Sequence, residues 1–221
     1  MLLIKKVGKF NFLRQKIVDK TILHVGCCGI VKKIELKNEK NNYLHKFLCD
    51  NSKKAYGLDI DTNEINYLKN NGFENLFVGD AEKINEIDFG QKFDLVLLGN
   101  VFNYFPNPGE LLNKTELLLN PGGSIIITIE NPMSLKKIFR YILFGKYPDM
   151  YHHLYSVNKN TLLNLVKSSG FTPIDYAYHF EGPDNFLKQS FKSKLANRIV
   201  QLISRSDRYA DGLMIEIKKK G

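Results

Sequence analysis

Long apolar runs, cysteine and glycine-rich phosphate turns are what this 221-residue chain has least of. No apolar stretch approaches the ~20 residues that cross a bilayer. Met1-Leu2-Leu3-Ile4 gives way to Lys5-Lys6 too soon for a secretory signal, so a cytoplasmic protein is expected. Of the three cysteines, two are adjacent at Cys27 and Cys28, which supplies neither a disulfide framework nor a C-x-x-C metal pair. No metal is expected on that spacing. A full G-x-G-x-x-G turn is missing as well, which argues against a nicotinamide-dependent dehydrogenase. Repeats and low-complexity linkers are absent, and the length suits one domain over residues 1–221 with a substantial core.

What is present is basic charge and strand-length apolar segments. The formal net charge is +9, with an isoelectric point near 9.3 and a mean hydropathy of -0.25. An excess of this kind suits acidic partners such as phosphorylated compounds, nucleic acid or an anionic membrane surface. The lysines are scattered among many Asn and Ile residues, so a compositional habit of the source is the preferred explanation.

The segment on which the rest turns is Thr21-Ile22-Leu23-His24-Val25-Gly26-Cys27-Cys28-Gly29, an apolar run that breaks into small residues. A buried parallel strand ends in this way beneath a ligand, and also where a strand turns tightly into a helix. Before it, Phe10, Leu13 and Ile17 stand at helical spacing. After it, 32–42 reads as an extended connection, and Tyr43, Leu44, Phe47 and Leu48 mark one helix face with Cys49 on the same buried side. Strands are expected at 55–61, 76–80, 93–99, 124–130, 171–180 and 212–217. Helices are expected at 63–70, through Leu111, Leu112, Leu118 and Leu119, at 160–169 and at 184–205. Alternation of this kind predicts an α/β, doubly wound, mostly parallel sheet. The stretches 131–157 and 181–208 read as insertions on the acceptor side of that sheet.

Ligands of such sheets bind beyond the carboxyl ends of the strands. The pattern places Gly26, Asp59, Asp80 and the Gly99-Asn100 turn at four such ends. A carboxylate ending the second strand can accept two hydrogen bonds from a ribose diol, and one ending the third can accept from an exocyclic amine. Each acid alone reads equally as a helix cap, as Asp61 does before Asn63 and Glu64.

Taken in order, these segments resemble the class I methyltransferases that use S-adenosylmethionine. Leu23-His24-Val25-Gly26-Cys27-Cys28-Gly29 is similar to their cofactor loop, Tyr56-Gly57-Leu58-Asp59 to their ribose-binding segment and Gly79-Asp80-Ala81-Glu82 to their adenine segment. Leu119-Asn120-Pro121-Gly122-Gly123 looks like the L-x-P-G-G before their fifth strand, and Ser169-Gly170-Phe171 like the approach to their sixth. The resemblance implies a Rossmann-like sheet of seven strands with the last antiparallel, and S-adenosylmethionine as cofactor. It further implies that Gly26, Cys27, Cys28 and Gly29 line the cofactor loop, that Asp59 holds the ribose hydroxyls and that Ile60 beside it touches the cofactor. Asp80 and Ala81 would hold adenine, and Asn100 would face the methionine moiety or the acceptor. The chain departs from the family where His24 replaces an acidic residue and Cys28 a glycine, and where Tyr104 stands in place of a histidine. The spacing from Gly26 to Asp59 is also longer than usual.

The acceptor is narrowed by one further absence. N/D-P-P-Y/F, which relatives that methylate base or amide nitrogens carry after the fourth strand, is missing from Gly99-Asn100-Val101-Phe102. His152-His153 falls in the loop that, in relatives acting on small molecules and sugars, closes over the acceptor. A histidine there can take a hydroxyl proton, and Tyr104 stands as pocket wall or base. The expectation is O-methylation of a small or glycan-like acceptor, anionic or lipid-linked. A non-catalytic binding module of the same fold, an RNA-directed enzyme and peripheral membrane contact stay open beside it.

Overall fold

The computed structural model describes residues 5–6, 8–29, 35, 43–145, 153–179 and 209–220. The helix expected over 184–205, the insertion at 181–208, His152 and, apart from Glu35, the connection expected over 32–42 lie outside the described residues. The strands are β1 (Lys5–Lys6), β2 (Thr21–Val25), β3 (Lys54–Asp59), β4 (Leu76–Val78), β5 (Phe93–Gly99), β6 (Leu119–Glu130), β7 (Phe171–His179) and β8 (Gly212–Lys219). The helices are α1 (Lys9–Ile17), α2 (Leu44–Asn51), α3 (Thr62–Asn70), α4 (Pro108–Glu116), α5 (Leu135–Phe144) and α6 (Lys159–Ser168). Short 3-10 turns occupy Ala81–Glu86 and Phe102–Tyr104.

One sheet runs β1-β7-β8-β6-β5-β2-β3-β4. Neighbours pair in parallel except β8, which is antiparallel to both β6 and β7. Seven strands correspond to those expected from the sequence. The eighth, the two-residue β1, adds an edge beside β7 that two lysines gave no reason to expect. The chain steps outward from β2 through β3 to β4, then returns to place β5 on the other side of β2. That reversal opens a crevice at the carboxyl ends of β2 and β5, where an open α/β sheet takes its ligand.

Both faces are covered, as the apolar strands require. One face packs Leu23, Val25, Val96, Leu98 and Ile127 beneath Leu111, Leu112, Leu162 and Val166 of α4 and α6. The other packs Ile22, Leu95, Leu97 and Ile126 beneath Phe12, Leu13, Ile17 and Leu48 of α1 and α2. Phe12 takes the core place expected for Phe10, which stays half-buried against the Phe47 ring at 4.6 Å. Lys16 ties α1 to the sheet through Glu216, whose other oxygen accepts from Ser124 at 2.7 Å, and through Asp175 at 2.9 Å.

Side-chain caps set several helix starts. Asp61 accepts from Asn63 and Glu64 before α3, Asn107 from Glu110 before α4, Ser134 from Lys137 before α5, and Asn158 from Thr161 before α6. Two expectations need correction. Cys49 is exposed, because Leu48 takes the inward position of α2. The helix through Leu111 ends at Glu116; Leu119 already pairs with Phe93, so the Asn120-Pro121-Gly122-Gly123 segment lies within β6.

Candidate functional site

The turn after β2 is fixed from three sides. Gly26 and Cys27 both donate to the Leu58 carbonyl, at 2.8 and 3.2 Å, and Cys28 N–H donates to Asp59 Oδ2 at 2.8 Å. Gly26 has φ of +72°, and a Cβ there would meet Val101 Cγ1 at 2.1 Å. Its bareness therefore serves the packing of this turn on the one after β5. Gly29 differs, for among the described residues a Cβ there would meet no atom within 4 Å. Cys27 is buried, and its carbonyl accepts from Tyr43 Oη at 2.8 Å, so it supports the turn from below.

Asp59 ends β3 half-buried. Its Oδ1 accepts from Asp61 N–H at 3.2 Å and its carbonyl from Gly79 at 2.9 Å, so one residue joins the β2 turn, its own loop and the end of β4. An ionised carboxylate offers about four acceptor positions, and the side-chain hydrogen bonds from Cys28 and Asp61 take two of them. Ile60 beside it is 70% exposed, an apolar surface held out at a strand end. Asp80 caps the 3-10 turn by accepting from Glu82 N–H at 2.9 Å, and Ala81 is buried under it. Asn100 takes φ of +58°; its N–H donates to Thr128 Oγ1 at 2.9 Å, which in turn donates to Asn100 Oδ1 at 2.8 Å. The β5 turn is thus locked to β6.

His24 lies below this surface. Its ring is buried and faces that of His45 with Nδ1 atoms 3.4 Å apart, one donating and the other accepting. A Cβ on Gly99 would meet His24 Nε2 at 2.4 Å, so the bare end of β5 makes room for this ring. Burial lowers the His45 pKa to about 4. The His24–His45 pair was not legible from spacing, since His45 reads as one more position on an amphipathic helix.

Across the crevice, the ring of His153 meets Tyr104 edge-on, centroids 4.8 Å apart at 87°. Leu154 N–H donates to the Asn103 carbonyl at 2.9 Å, and Tyr155 Oη donates to the carbonyls of Phe102 and Phe105, so this strip is docked on the β5 turn. Glu130, at the end of β6, accepts from Lys137 Nζ at 2.6 Å. Burial pushes its carboxyl up, but Lys137, with the charges of His153 and Lys9, outweighs this and holds it below the ordinary range. Burial, with the Glu130 charge, pushes the Tyr104 phenol up. Glu130 and Lys137 were missed as site residues, although Glu130 ends a strand beside the switch point much as Asp59 and Asp80 end theirs.

A surface hollow of about 420 Å³ lies elsewhere, at the amino ends of β3 and β4, lined by Lys46, Cys49, Lys53, Lys54 and Asn75 among others. Strand starts are not where this architecture takes its ligand, so the crevice is the candidate site. Among the described residues, no helix is long and apolar enough to cross a membrane.

With this geometry in hand, a family model described as a methyltransferase domain matches residues 18–171. No curated protein matches the chain. Solved structures of similar fold include an S-adenosylmethionine-dependent methyltransferase from Archaeoglobus fulgidus, at 18% identity, covering 96% of this chain and 95% of that one with a TM-score of 0.59. A putative methyltransferase from Bacillus halodurans shares 15% identity over 96% of this chain and 99% of its own, also at 0.59. The plantazolicin methyltransferase BamL, solved with a triazolic desmethylPZN analog and SAH, shares 16% identity over 91% and 77%, at 0.57. At these identities the likeness is one of fold.

Proposed function

Since the chain belongs to the methyltransferase-domain family, and so to the class I methyltransferases that use S-adenosylmethionine, we propose that it methylates an oxygen on a small or glycan-like acceptor. The residues suit the cofactor: Asp59 ends β3 as a carboxylate that can accept from a ribose diol, Ile60 offers an exposed apolar face to a purine, and among the described residues no atom crowds the side-chain position of Gly29. Asp59 would hold the sugar, Ile60, Asp80 and Ala81 the base, and the Gly26–Gly29 turn with Asn100 the remainder. When bound, the cofactor supplies an activated methyl group that a nucleophile takes by in-line displacement, so positioning supplies most of the catalysis.

The observation that carries the oxygen acceptor is His153 packed on Tyr104 with the Glu130 carboxylate in electrostatic reach. His153 takes the hydroxyl proton as the oxygen attacks, and Glu130 stabilises the resulting imidazolium. Tyr104 orients the ring. Lys137 offsets the Glu130 charge and gives the site a cation for an anionic acceptor. The test is transfer of labelled methyl from S-adenosylmethionine to a panel of sugars and small hydroxylated acids, with amines as controls. Labelled ether from the hydroxyl compounds, lost in His153→Ala, is expected; label on amines alone would refute the oxygen acceptor.

A lipid-linked form of that acceptor is favoured by one further feature. Met133 (49%), just before α5, and Ile142 (70%), on it, are exposed, and the α5 sequence carries Lys136, Lys137 and Arg140 and no acid. Apolar and basic residues on one short helix suit an anionic interface. Sedimentation with anionic but not neutral vesicles is the expected result.

A further inference from the structure

Adjacent cysteines lack metal-binding spacing, but the fold brings them a third donor from a different strand. The Sγ atoms of Cys27 and Cys28 are 3.7 Å apart, and both thiols are free. An oxygen of Asp59 completes a group in which one ligand atom from each residue lies within 4.8 Å of the others. Two thiolates on one tetrahedral zinc ion, with Zn–S bonds of ~2.3 Å, stand about 3.8 Å apart. The sulfur separation is therefore already that of a chelating pair, and a side-chain adjustment of up to about 1 Å brings the carboxylate into the same shell.

We propose that Cys27, Cys28 and Asp59 form a binding site for a thiophilic divalent cation of the zinc class, with a fourth coordination position open to the crevice. The donors are anchored beforehand. Cys28 N–H holds Asp59 Oδ2, Cys27 N–H is held by the Leu58 carbonyl, and Tyr43 Oη holds the Cys27 carbonyl. Among the described residues the site is walled on one side, where Cys27 is buried, and reaches the surface on the other, where Cys28 and Asp59 are half-buried. Two thiolates with one carboxylate match the donor softness that selects zinc over magnesium or calcium. Both cysteines bind a cation as thiolates, so affinity rises with pH.

A second consequence rests on the proposed methyltransferase reading. Cation and cofactor ribose both draw on the Asp59 carboxylate and so exclude each other, and by linkage each weakens the other equally.

The test uses the reduced, metal-free full chain with cobalt(II) as a spectroscopic stand-in. One cobalt per chain with thiolate-to-cobalt charge-transfer absorption is expected. Affinity should fall at least about tenfold in Cys28→Ser and in Asp59→Asn, and stay unchanged in Cys49→Ser, with circular dichroism confirming that every variant folds. Absence of the absorption, or an undiminished cobalt affinity in Cys28→Ser, overturns the site. Adding S-adenosylhomocysteine to the cobalt-loaded chain should bleach the absorption. If the absorption persists while the metal-free chain binds S-adenosylhomocysteine by calorimetry, the exclusion is overturned. If the metal-free chain binds none, the cofactor reading fails, and the cobalt absorption alone decides the cation site.

Discussion

Acidification should destabilise this protein through one buried ring. His45 sits at 0% exposure among His24, Tyr43 and Phe73, and burial lowers its pKa from 6.5 to about 4. Below about pH 6.5 the unfolded chain takes up a proton that the folded chain refuses until about pH 4. Stability is therefore complete above about pH 6.5, falls through that window, and stops falling from this source below about pH 4. At about 1.4 kcal/mol per pH unit, the loss from about pH 7.5 to about pH 5 is on the order of 2 kcal/mol. Protonating both rings would also set two N–H donors against each other across the 3.4 Å contact. Urea denaturation of the wild type and of His45→Leu at the two pH values isolates the effect, because carboxylates common to both cancel in the difference. The variant is expected to be less stable at about pH 7.5, since it loses the bond to His24, but to lose on the order of 2 kcal/mol less on acidification. Equal losses in the two proteins would refute the assignment.

Gly26→Ala should abolish S-adenosylhomocysteine binding, because its Cβ meets Val101 Cγ1 at 2.1 Å; Val101→Ala in the same chain should restore part of it, as calorimetry would show. Ile60→Ser should leave the urea midpoint unchanged, as for most exposed positions, yet weaken the cofactor severalfold; a stability loss would mean that Ile60 is a packing residue. Lys16→Met should cost about 3 kcal/mol or more, since Glu216 and Asp175 would keep their charges with no cation between them. Asp59→Ala should weaken S-adenosylhomocysteine by about 100-fold, the worth of one or two charge-assisted hydrogen bonds.

The sheet was legible because its parallel strands are short, mostly apolar runs ending in glycine or acid. Leu23 to Gly26 and Phe93 to Gly99 show this in the sequence itself. The Asp61 cap was equally plain, since it precedes its own helix by one residue. What stayed hidden depends on contacts between distant positions. Nothing near His24 announces His45, and nothing beside Gly99 says that its missing side chain accommodates an imidazole. Cys49 was misplaced because helical spacing marks an apolar stripe but not its edge. The helix at Leu111 was overrun because Leu118 and Leu119 continue the apolar run while Phe93 draws them into the sheet. In the candidate site, Tyr104 and His153 were both singled out from the sequence, and the fold sets their rings in contact. Glu130 and Lys137 form an ion pair across a helix start that only the bend after β6 creates.

The most direct measurement is a crystal structure with S-adenosylhomocysteine bound. The account predicts ribose hydroxyls on the Asp59 carboxylate, adenine against Ile60 beside Asp80, and the thioether sulfur facing the gap between Asn100 and His153. A ligand seated instead in the lysine-lined hollow at the amino ends of β3 and β4, with Asp59 touching only its own backbone partners, would contradict it.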